Sequence, residues 1–540
     1  MARAEGSGWL SHWVTKRQRA AVGPAAGLAA LRSVHNAAVR PTPYLYALLA
    51  LLVIPIFPHF VSPNEMTRWA TAAALVENRT FEITNLLPLL GGNAFEDASE
   101  VDGHIYSNKA PGAALIGLPA YGLARMIAGP PLAATMRTTA NAMRLLAATV
   151  PLLLLVWTMR RTAKRLGAPD ERIDLSVLAL LFATPLFAYG LLNFSHALTA
   201  AALFGAWALI FADRHDYAAG ALIGLATISE YPCAIAGVVL IACAWRRAPR
   251  IIAGGIPFAL GLGIYNKLLF GSIFALSSGN ERNAQFRSMA KEGLFGIGLP
   301  DPMTLIRLLF DPSRGLFVFA PILLVALIAL PRARKALTTE GFLALVLVPI
   351  ALIIFYSGYP NWHGGWSVGP RYLVPAIPFL LFPLIFGVAS IIEWIALGAS
   401  VAAVVPLSLT FPFPDRSFAA PWSTIALPLL RDGLVAPNLF HLVARPLAIA
   451  IPFAIVAAAI VMTAKRNALW VALGVILMFA LGALAPTPSL TTRLRIGYIE
   501  EVYFEQPGAM SRAVGGLPLP PRAIARAQHE ETLPPTSWPF

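Results

Sequence analysis

Titratable side chains are concentrated in one polar loop of an otherwise apolar sequence, between residues 62 and 138. They include Glu65, Asp97, Asp102, His104 and Lys109. A carboxylate can accept the proton of a hydroxyl group, and a lysine ammonium can stabilise a departing phosphate. Because the flanking segments are apolar, we expect this polar loop to lie in water at the surface of a membrane. The combination of acids and a cation predicts chemistry on a lipid-linked substrate.

The composition is typical of a membrane protein. Hydrophobic residues make up 57% of the 540 residues, charged residues make up 13%, and the mean hydropathy is +0.67. A helix that crosses a bilayer needs about 20 apolar residues, so the apolar runs predict an all-α polytopic protein with about thirteen transmembrane helices. The expected spans are residues 43–61, 139–158, 173–191, 196–213, 217–230, 232–245, 251–269, 316–331, 340–357, 371–389, 392–411, 446–463 and 468–485.

The placement of the basic residues predicts the orientation. The net charge is +14, but the basic residues cluster at the ends of apolar runs, which argues against a nucleic-acid partner. Cytoplasmic loops are enriched in Lys and Arg, so these clusters are assigned to the cytoplasm. They are Lys16, Arg17 and Arg19; Arg160, Arg161, Lys164 and Arg165; Arg246, Arg247 and Arg250; Arg332, Arg334 and Lys335; and Lys465 with Arg466.

This orientation divides the chain into three parts. We expect a basic cytoplasmic segment over residues 1–42, a transmembrane domain over 43–485 and a periplasmic tail over 486–540. The outward segments are then residues 62–138, 270–315, 358–370 and 412–445, together with the tail. The protein is predicted to be a multi-pass protein of the inner membrane whose site faces the periplasm.

Two helices are expected inside the first outer loop, at residues 65–78 and 112–129. The first is amphipathic. The second is apolar enough to span the membrane, but counting it as a span would move the cluster from Arg160 to Arg165 outside. We therefore expect a juxtamembrane helix on the outer surface, which ends at Gly129 before two prolines.

Several kinds of site have no sequence signature in this chain. Cys233 and Cys243 lie in one apolar segment, about 15 Å apart along a helix, which is too far for a disulfide. The sequence has no Cys/His spacing typical of zinc, no Gly-rich phosphate loop after a strand and no Gly-x-Ser-x-Gly motif. We therefore do not expect this chain to hydrolyse ATP.

A set of motifs resembles the GT-C membrane glycosyltransferases, which use polyprenyl-phosphate sugars and include protein mannosyltransferases and the transferases that modify lipid A and lipopolysaccharide. The resemblance extends over roughly residues 43 to 390. The motifs are Asn64-Glu65-x-x-Arg68, Tyr106-Ser107-Asn108-Lys109-Ala110-Pro111-Gly112, Tyr265-Asn266-Lys267 with Phe270-Gly271, Leu309-Phe310-Asp311-Pro312-Ser313-Arg314-Gly315-Leu316, and Trp362-His363-Gly364-Gly365-Trp366-Ser367-Val368-Gly369-Pro370-Arg371-Tyr372.

The resemblance implies a reaction. A sugar leaves a polyprenyl phosphate and is attacked by a hydroxyl of a cell-envelope lipid, glycan or protein, by an inverting displacement. It further implies that the catalytic base is Glu65, with Asp97 or Asp102 as the alternative. Lys109 and Arg371 would hold the donor phosphate. The sugar stays open among galacturonic acid, arabinose, mannose, glucose and aminoarabinose.

Each of these assignments has a structural alternative. Glu65 is also a first-turn acid that the helix dipole stabilises. Lys109 is also placed as a lysine whose ammonium extends to the membrane surface. Arg371 follows a Trp-rich loop, as interfacial anchors do.

Other residues are candidates for substrate contact, and a metal ion is a further alternative. An oxygen site for Mg²⁺ or Ca²⁺ would combine Asn64 with Asp97 or Asp102, but no metal ligand is assigned. The remaining substrate-binding candidates are His363, His104, Asn64, Arg68, His196 and Tyr106, with Glu230, Arg282, Arg287, Asp311 and Arg314 as weaker ones.

A lipid-linked glycan flippase or secondary transporter is the alternative function. Such proteins also have many spans and charges within the membrane. They tend to contain repeats with broken spans at matching positions, and no such repeat is evident here. They also have little need for a long acidic loop after the first span.

Overall fold

The structure is a computed structural model that describes residues 40–55, 62–90, 92, 95–293 and 296–486. The predicted cytoplasmic segment, the second half of the first span and the tail therefore lie outside the described residues, apart from their boundary positions. Helices dominate this part of the chain. They are α1 (Pro41–Val53), α2 (Pro63–Glu77), α3 (Leu87–Leu90), α4 (Gly112–Ala128), α5 (Ala133–Arg144), α6 (Val150–Arg165), α7 (Asp170–Phe182), α8 (Leu186–Tyr189), α9 (His196–Ala208), α10 (Asp216–Ser229), α11 (Cys233–Cys243), α12 (Ala248–Phe270), α13 (Ala284–Met289), α14 (Pro302–Phe310), α15 (Leu316–Phe319), α16 (Ile322–Ile328), α17 (Leu330–Ala336), α18 (Thr339–Ser357), α19 (Ile377–Leu381), α20 (Ile391–Thr410), α21 (Leu427–Arg431), α22 (Arg445–Ala464) and α23 (Ala468–Ala483).

The predicted polytopic helical architecture is confirmed. Within the described ranges, six helical segments are long and apolar enough to cross a membrane. They are Thr135–Arg165, His196–Asp213, Trp245–Phe270, Thr339–Ser357, Ile391–Thr410 and Pro446–Ala483. Shorter apolar helices occur at Pro41–Val53, Gly112–Ala128, Cys233–Cys243 and Arg371–Phe386.

Proline explains why some expected spans are divided into shorter helices. The expected span 173–191 breaks after Phe182, shortly before Pro185, and the expected span 316–331 is divided at Pro321. Proline lacks the backbone N–H that a continuous helix requires, and its ring clashes with the preceding turn. The apolar run predicts that the segment lies within the membrane, whereas the proline determines where the helix ends.

Glycine allows pairs of helices to pack at short distance. A Cβ added at Gly220 in α10 would lie 1.8 Å from the carbonyl oxygen of Ile251 in α12, and one at Gly254 would lie 2.0 Å from that of Tyr217. Such small residues let helix backbones approach closely, which is a common way to associate helices in lipid. The α10–α12 pair forms one wall of the groove described below.

The first outer loop contains a β-hairpin that the all-α prediction missed. Strands β1 (Ala98–Val101) and β2 (His104–Ser107) pair antiparallel, with Val101 opposite His104. Asp102 and Gly103 form the two-residue turn, both at positive φ (52° and 81°). An Asp-Gly pair favours this mirror-image turn, so the sequence did carry a signal for it.

The second of the segments expected to face outward, residues 270–315, is attached to this hairpin and is called the second outer loop below. The backbone N–H of Arg282 donates to the carbonyl of Ala98 (2.8 Å), and the Ser99 hydroxyl donates to the carbonyl of Ser277 (2.7 Å). The Ser277 hydroxyl donates in turn to the carbonyl of Asn108 (2.9 Å). These bonds fix residues 277–282 against the end of β2, directly before Lys109.

Helix α4 agrees with the helix expected at 112–129. It ends at Gly129, whose φ is 93°, before two prolines. Its position relative to a bilayer stays a prediction.

Candidate functional site

Glu65 forms a closed ion pair. Its carboxylate is fully buried in the first turn of α2 and accepts bonds from Nε (2.8 Å) and Nη2 (3.1 Å) of Arg144. The backbone N–H of Asn193 donates to the same carboxylate (2.7 Å). A carboxylate has about four acceptor positions, of which these N–H groups fill three, and the Glu65 side chain has no exposed surface from which to reach a substrate hydroxyl. This arrangement therefore favours a positioning role for Glu65 over the expected role as base.

Arg68 lies one turn further along α2 and belongs to a second cluster. Its guanidinium donates hydrogen bonds to the Ser195 hydroxyl (2.9 Å), to the Glu230 carboxylate (3.3 Å) and to the backbone carbonyl of Asn64 (2.8 Å). Ser195 also hydrogen bonds Glu230. The ring Nδ1 of His196 is 3.7 Å from the same carboxylate. The structure thus brings together Arg68, His196 and Glu230, three of the residues that the sequence selected.

Asp97 and Lys109 form an ion pair at the end of the hairpin. The Lys109 ammonium is 2.8 Å from Oδ1 of Asp97, and both side chains are mostly buried. The Asn108 amide donates to that oxygen (2.8 Å) and also to Oε2 of Glu281 (2.8 Å). The other Asp97 oxygen, Oδ2, is buried and has no hydrogen-bond partner among the described residues. One carboxylate oxygen is therefore held while the other stays available.

The two carboxylates of this group differ in acidity. Burial raises the pKa of Asp97, but the Lys109 charge and the bonds from Lys109 and Asn108 outweigh it, so the net pKa lies below its ordinary value. Burial raises the pKa of Glu281 to about 7, against the opposing charge of Lys109. Asp97 is therefore ionised at neutral pH, whereas Glu281 is present in both forms.

Arg371 presents a guanidinium without a carboxylate partner in the part of the chain that the structure describes. The Cζ atom of Arg371 lies 5.8 Å from the centre of the Phe194 ring and 4.9 Å from the centre of the Tyr372 ring. One nitrogen donates to the Tyr372 hydroxyl (3.2 Å), and the buried Nε has no partner there. The charge of Arg371 also contributes to lowering the pKa of Asp97.

Arg314 holds the loop that precedes Arg371. This fully buried side chain donates to the carbonyls of His363 and Gly365, the latter at 2.6 Å. Gly364 packs on the Arg371 side chain, where an added Cβ would lie 2.9 Å from its Cγ. Arg314 therefore acts on the site through the backbone of this loop.

The two loop histidines differ in charge and place. Burial, with the nearby Arg314, lowers the pKa of His363 to about 4, and its Nδ1 accepts the N–H of Gly365 (3.1 Å). His363 is thus neutral at pH 7. His104 is exposed and bonds Glu82 (3.0 Å), which raises its pKa.

Two further expected site residues, Asp102 and Tyr106, belong to the β-hairpin. Asp102 is exposed at its turn. The Tyr106 ring packs on Phe270, with 6.1 Å between ring centres. Among the described residues, no three His, Cys, Asp or Glu side chains are grouped to hold a metal ion. The oxygen site expected from Asn64 with Asp97 or Asp102 stays a prediction: Lys109 binds Oδ1 of Asp97 and Asp102 is exposed at its turn.

An apolar groove of about 250 Å³ is lined by Pro111, which follows Lys109 by two residues. It lies between α4, α10 and α12. Its lining residues include Phe81, Pro111, Leu115, Ile228, Phe258 and Gly261. Pro111 is only two residues from Lys109, so a polar group and an apolar groove adjoin.

Sequence reasoning missed Arg144, Asn108 and Glu281. Arg144 lies within the candidate membrane span Thr135–Arg165, where a charge is costly without a partner, and that signal could have indicated an ion pair. Asn108 stands inside the motif that contains Lys109. Glu281 had no local signal, because its role depends on the contact between two loops.

The chain was compared with known proteins. No protein-family model matches it, and a search of curated proteins finds no match. It is similar to the crystal structure of ArnT from Cupriavidus metallidurans bound to undecaprenyl phosphate, at 14% identity and TM-score 0.44, over 84% of this chain and 78% of that one. It is also similar to the crystal structure of the Archaeoglobus fulgidus oligosaccharyltransferase in the apo form, at 11% identity and TM-score 0.38, over 94% of this chain and 62% of that one. The function proposed below rests on the residues of this chain.

The buried pair predicts a stability defect in Glu65→Gln. Loss of one partner leaves the Arg144 charge buried, so we expect the free energy of unfolding to fall by about 3–5 kcal/mol. Thermal unfolding in detergent would measure it. The control is Glu77→Gln, since Glu77 pairs with the more exposed Arg125 and should cost about 1 kcal/mol or less. A Glu65→Gln protein that is stable but inactive would instead support Glu65 as the base.

Proposed function

We propose that the protein is a membrane glycosyltransferase that moves a sugar from a polyprenyl-phosphate donor to a hydroxyl group of a cell-envelope lipid, glycan or protein on the periplasmic face. The observation that carries this proposal is the Asp97–Lys109 pair, two residues before Pro111 of an apolar groove. The charge of Arg371 acts on Asp97, and Arg371 has no carboxylate partner among the described side chains. These features would supply a cation for the phosphate, a carboxylate to accept a proton and an apolar groove for the lipid chain.

Lys109 and Arg371 supply the positive charge for the donor phosphate. An ammonium has three donors, so Lys109 can keep its bond to Asp97 and also bind a phosphate oxygen. The planar guanidinium of Arg371 suits a bidentate phosphate contact, and the Tyr372 and Phe194 rings hold it in place. As the bond from the sugar to phosphate breaks, negative charge grows on the phosphate, and these cations stabilise it.

Asp97 is the base in this proposal, in place of Glu65. Its Oδ1 is fixed by Lys109 and Asn108, which leaves Oδ2 to receive the proton of the acceptor hydroxyl. The hydroxyl oxygen attacks the anomeric carbon as the phosphate departs on the opposite side, so the configuration inverts. Glu65 contributes by binding Arg144 and the backbone N–H of Asn193. Asn193 lies two residues before Ser195, which accepts a hydrogen bond from Arg68.

The groove between α4 and α12 fits the first isoprene units of the donor. Apolar side chains line it, and it leads away from Lys109 along helices whose outer faces are exposed and apolar. Burial of an apolar chain there is favourable at about 25 cal/mol per Å². The phosphate would then lie at the membrane surface and the tail in the lipid layer.

Asp97→Asn should abolish transfer without weakening donor binding. The amide cannot take the proton, but it keeps the size of the side chain and removes a negative charge beside Lys109. The measurement is mass spectrometry of surface glycans from a deletion strain that carries each variant. Asp102→Asn, at the exposed turn, is the matched control and should restore the glycan fully. Normal glycans with Asp97→Asn would exclude Asp97 as the base.

Lys109→Ala should weaken binding of a polyprenyl phosphate by about tenfold or more, since a hydrogen bond between charged groups contributes about 1.5–3 kcal/mol. Titration of purified protein in detergent would give the dissociation constant. Lys291→Ala removes an exposed lysine of the second outer loop and should bind as the wild type does. Equal affinities for all three proteins would refute the phosphate role of Lys109.

Gly261→Leu tests the groove. A Cβ added at this position meets no atom of the chain within 4 Å, so we expect the fold to accept a leucine whose side chain fills the groove. We expect weaker binding of a long polyprenyl phosphate and unchanged binding of a short, soluble alkyl phosphate. Gly122→Leu, also free of neighbours within 4 Å but outside the groove, is the control. If both leucine variants bind the long lipid normally, the tail does not use this groove.

A further inference from the structure

Glu281 enters the site from the second outer loop. Its backbone bridges Ser99 of the hairpin, and its carboxylate accepts a bond from Asn108 (2.8 Å). Only 8% of the residue is exposed. Because the same Asn108 nitrogen also donates to Asp97, the two carboxylates lie side by side near the Lys109 ammonium.

The charges of the site depend on the state of Glu281. The cations are Arg68, Lys109 and Arg371, and the other carboxylates are Asp97 and Glu230. The nearby pair of Glu65 and Arg144 neutralises itself. Arg287 is exposed to solvent, which screens its charge, so it is left out of this sum. With Glu281 ionised, the other cations and the carboxylates then balance. With Glu281 protonated, one positive charge remains.

A lipid-linked sugar phosphate is a phosphodiester with one negative charge. It therefore matches the site in which Glu281 carries a proton, and it meets electrostatic repulsion from the ionised form. Like charges within a few ångströms disfavour ionisation, so the bound phosphate strengthens the hold of Glu281 on its proton.

We propose that Glu281 is a positioning residue that takes up a proton when the phosphodiester donor binds, so that donor affinity falls as the pH rises. This inference rests on the proposed function. Besides Lys109 and Asp97, the groups that face Glu281 are Tyr359 from the third outer loop and Arg287, which donates to its carbonyl (3.3 Å).

The direction of the effect follows from the pKa of Glu281, which burial raises to about 7. Below pH 7 the proton is already present, and binding needs none. Above pH 7 the free site must gain a proton to bind, and the affinity falls by up to about tenfold per pH unit until the pH reaches the higher pKa of the complex.

The test is the affinity of the full-length protein for a polyprenyl methyl phosphodiester at pH 6 and pH 8.5. This probe keeps one charge across the range, so only the protein titrates. We expect the wild type to bind about tenfold more weakly at pH 8.5. Glu281→Gln should bind equally at both values, whereas Glu281→Asp should retain the dependence.

Glu100→Gln is the matched control. Glu100 lies in the same hairpin, pairs with Arg282 and is largely exposed, so its removal should leave the wild-type dependence. If Glu281→Gln keeps the full pH dependence, the inference is wrong, although binding of the probe would still support the proposed function. If no protein binds the probe at either pH, both are wrong.

Discussion

The buried ion pair of Glu65 and Arg144 is the interaction on which the site depends. It joins the first outer helix to the long helical segment Thr135–Arg165, and through the Asn193 backbone it also holds the turn before His196. A charge removed from water is stable only with a well-placed partner. The pair therefore fixes the relative position of three segments that are distant in the sequence.

The second organising feature is a near balance of charge in a small, largely buried volume. Arg68 is neutralised by Glu230 and Lys109 by Asp97, whereas Arg371 is packed on aromatic rings and lacks an acid among the described side chains. An uncompensated guanidinium is costly unless an anion completes it. In the proposed function, a donor phosphate supplies this anion, and protonation of Glu281 sets the net charge that the phosphate meets.

The chain joins aqueous chemistry to a lipid surface over a short distance. The hairpin and the second outer loop hold the polar groups, while α4 and α12 provide the apolar groove directly behind Pro111. Glycines in α10 and α12 bring these helices close together. A substrate with a charged head and an apolar tail can thus satisfy both parts without crossing the membrane.

The sequence by itself determined the helical membrane architecture, because a continuous apolar run of about 20 residues satisfies its backbone hydrogen bonds in lipid as a helix. It also selected Asp97, Lys109, Arg68, His196 and Arg371 as candidates, through their place in the polar loop or in motifs that resemble those of a known family. Only the tertiary structure paired Glu65 with Arg144 and brought Glu281 to Asn108. These partners are 79 and 173 residues apart, and no local pattern encodes such contacts, because the packing of helices and loops decides which buried charges meet.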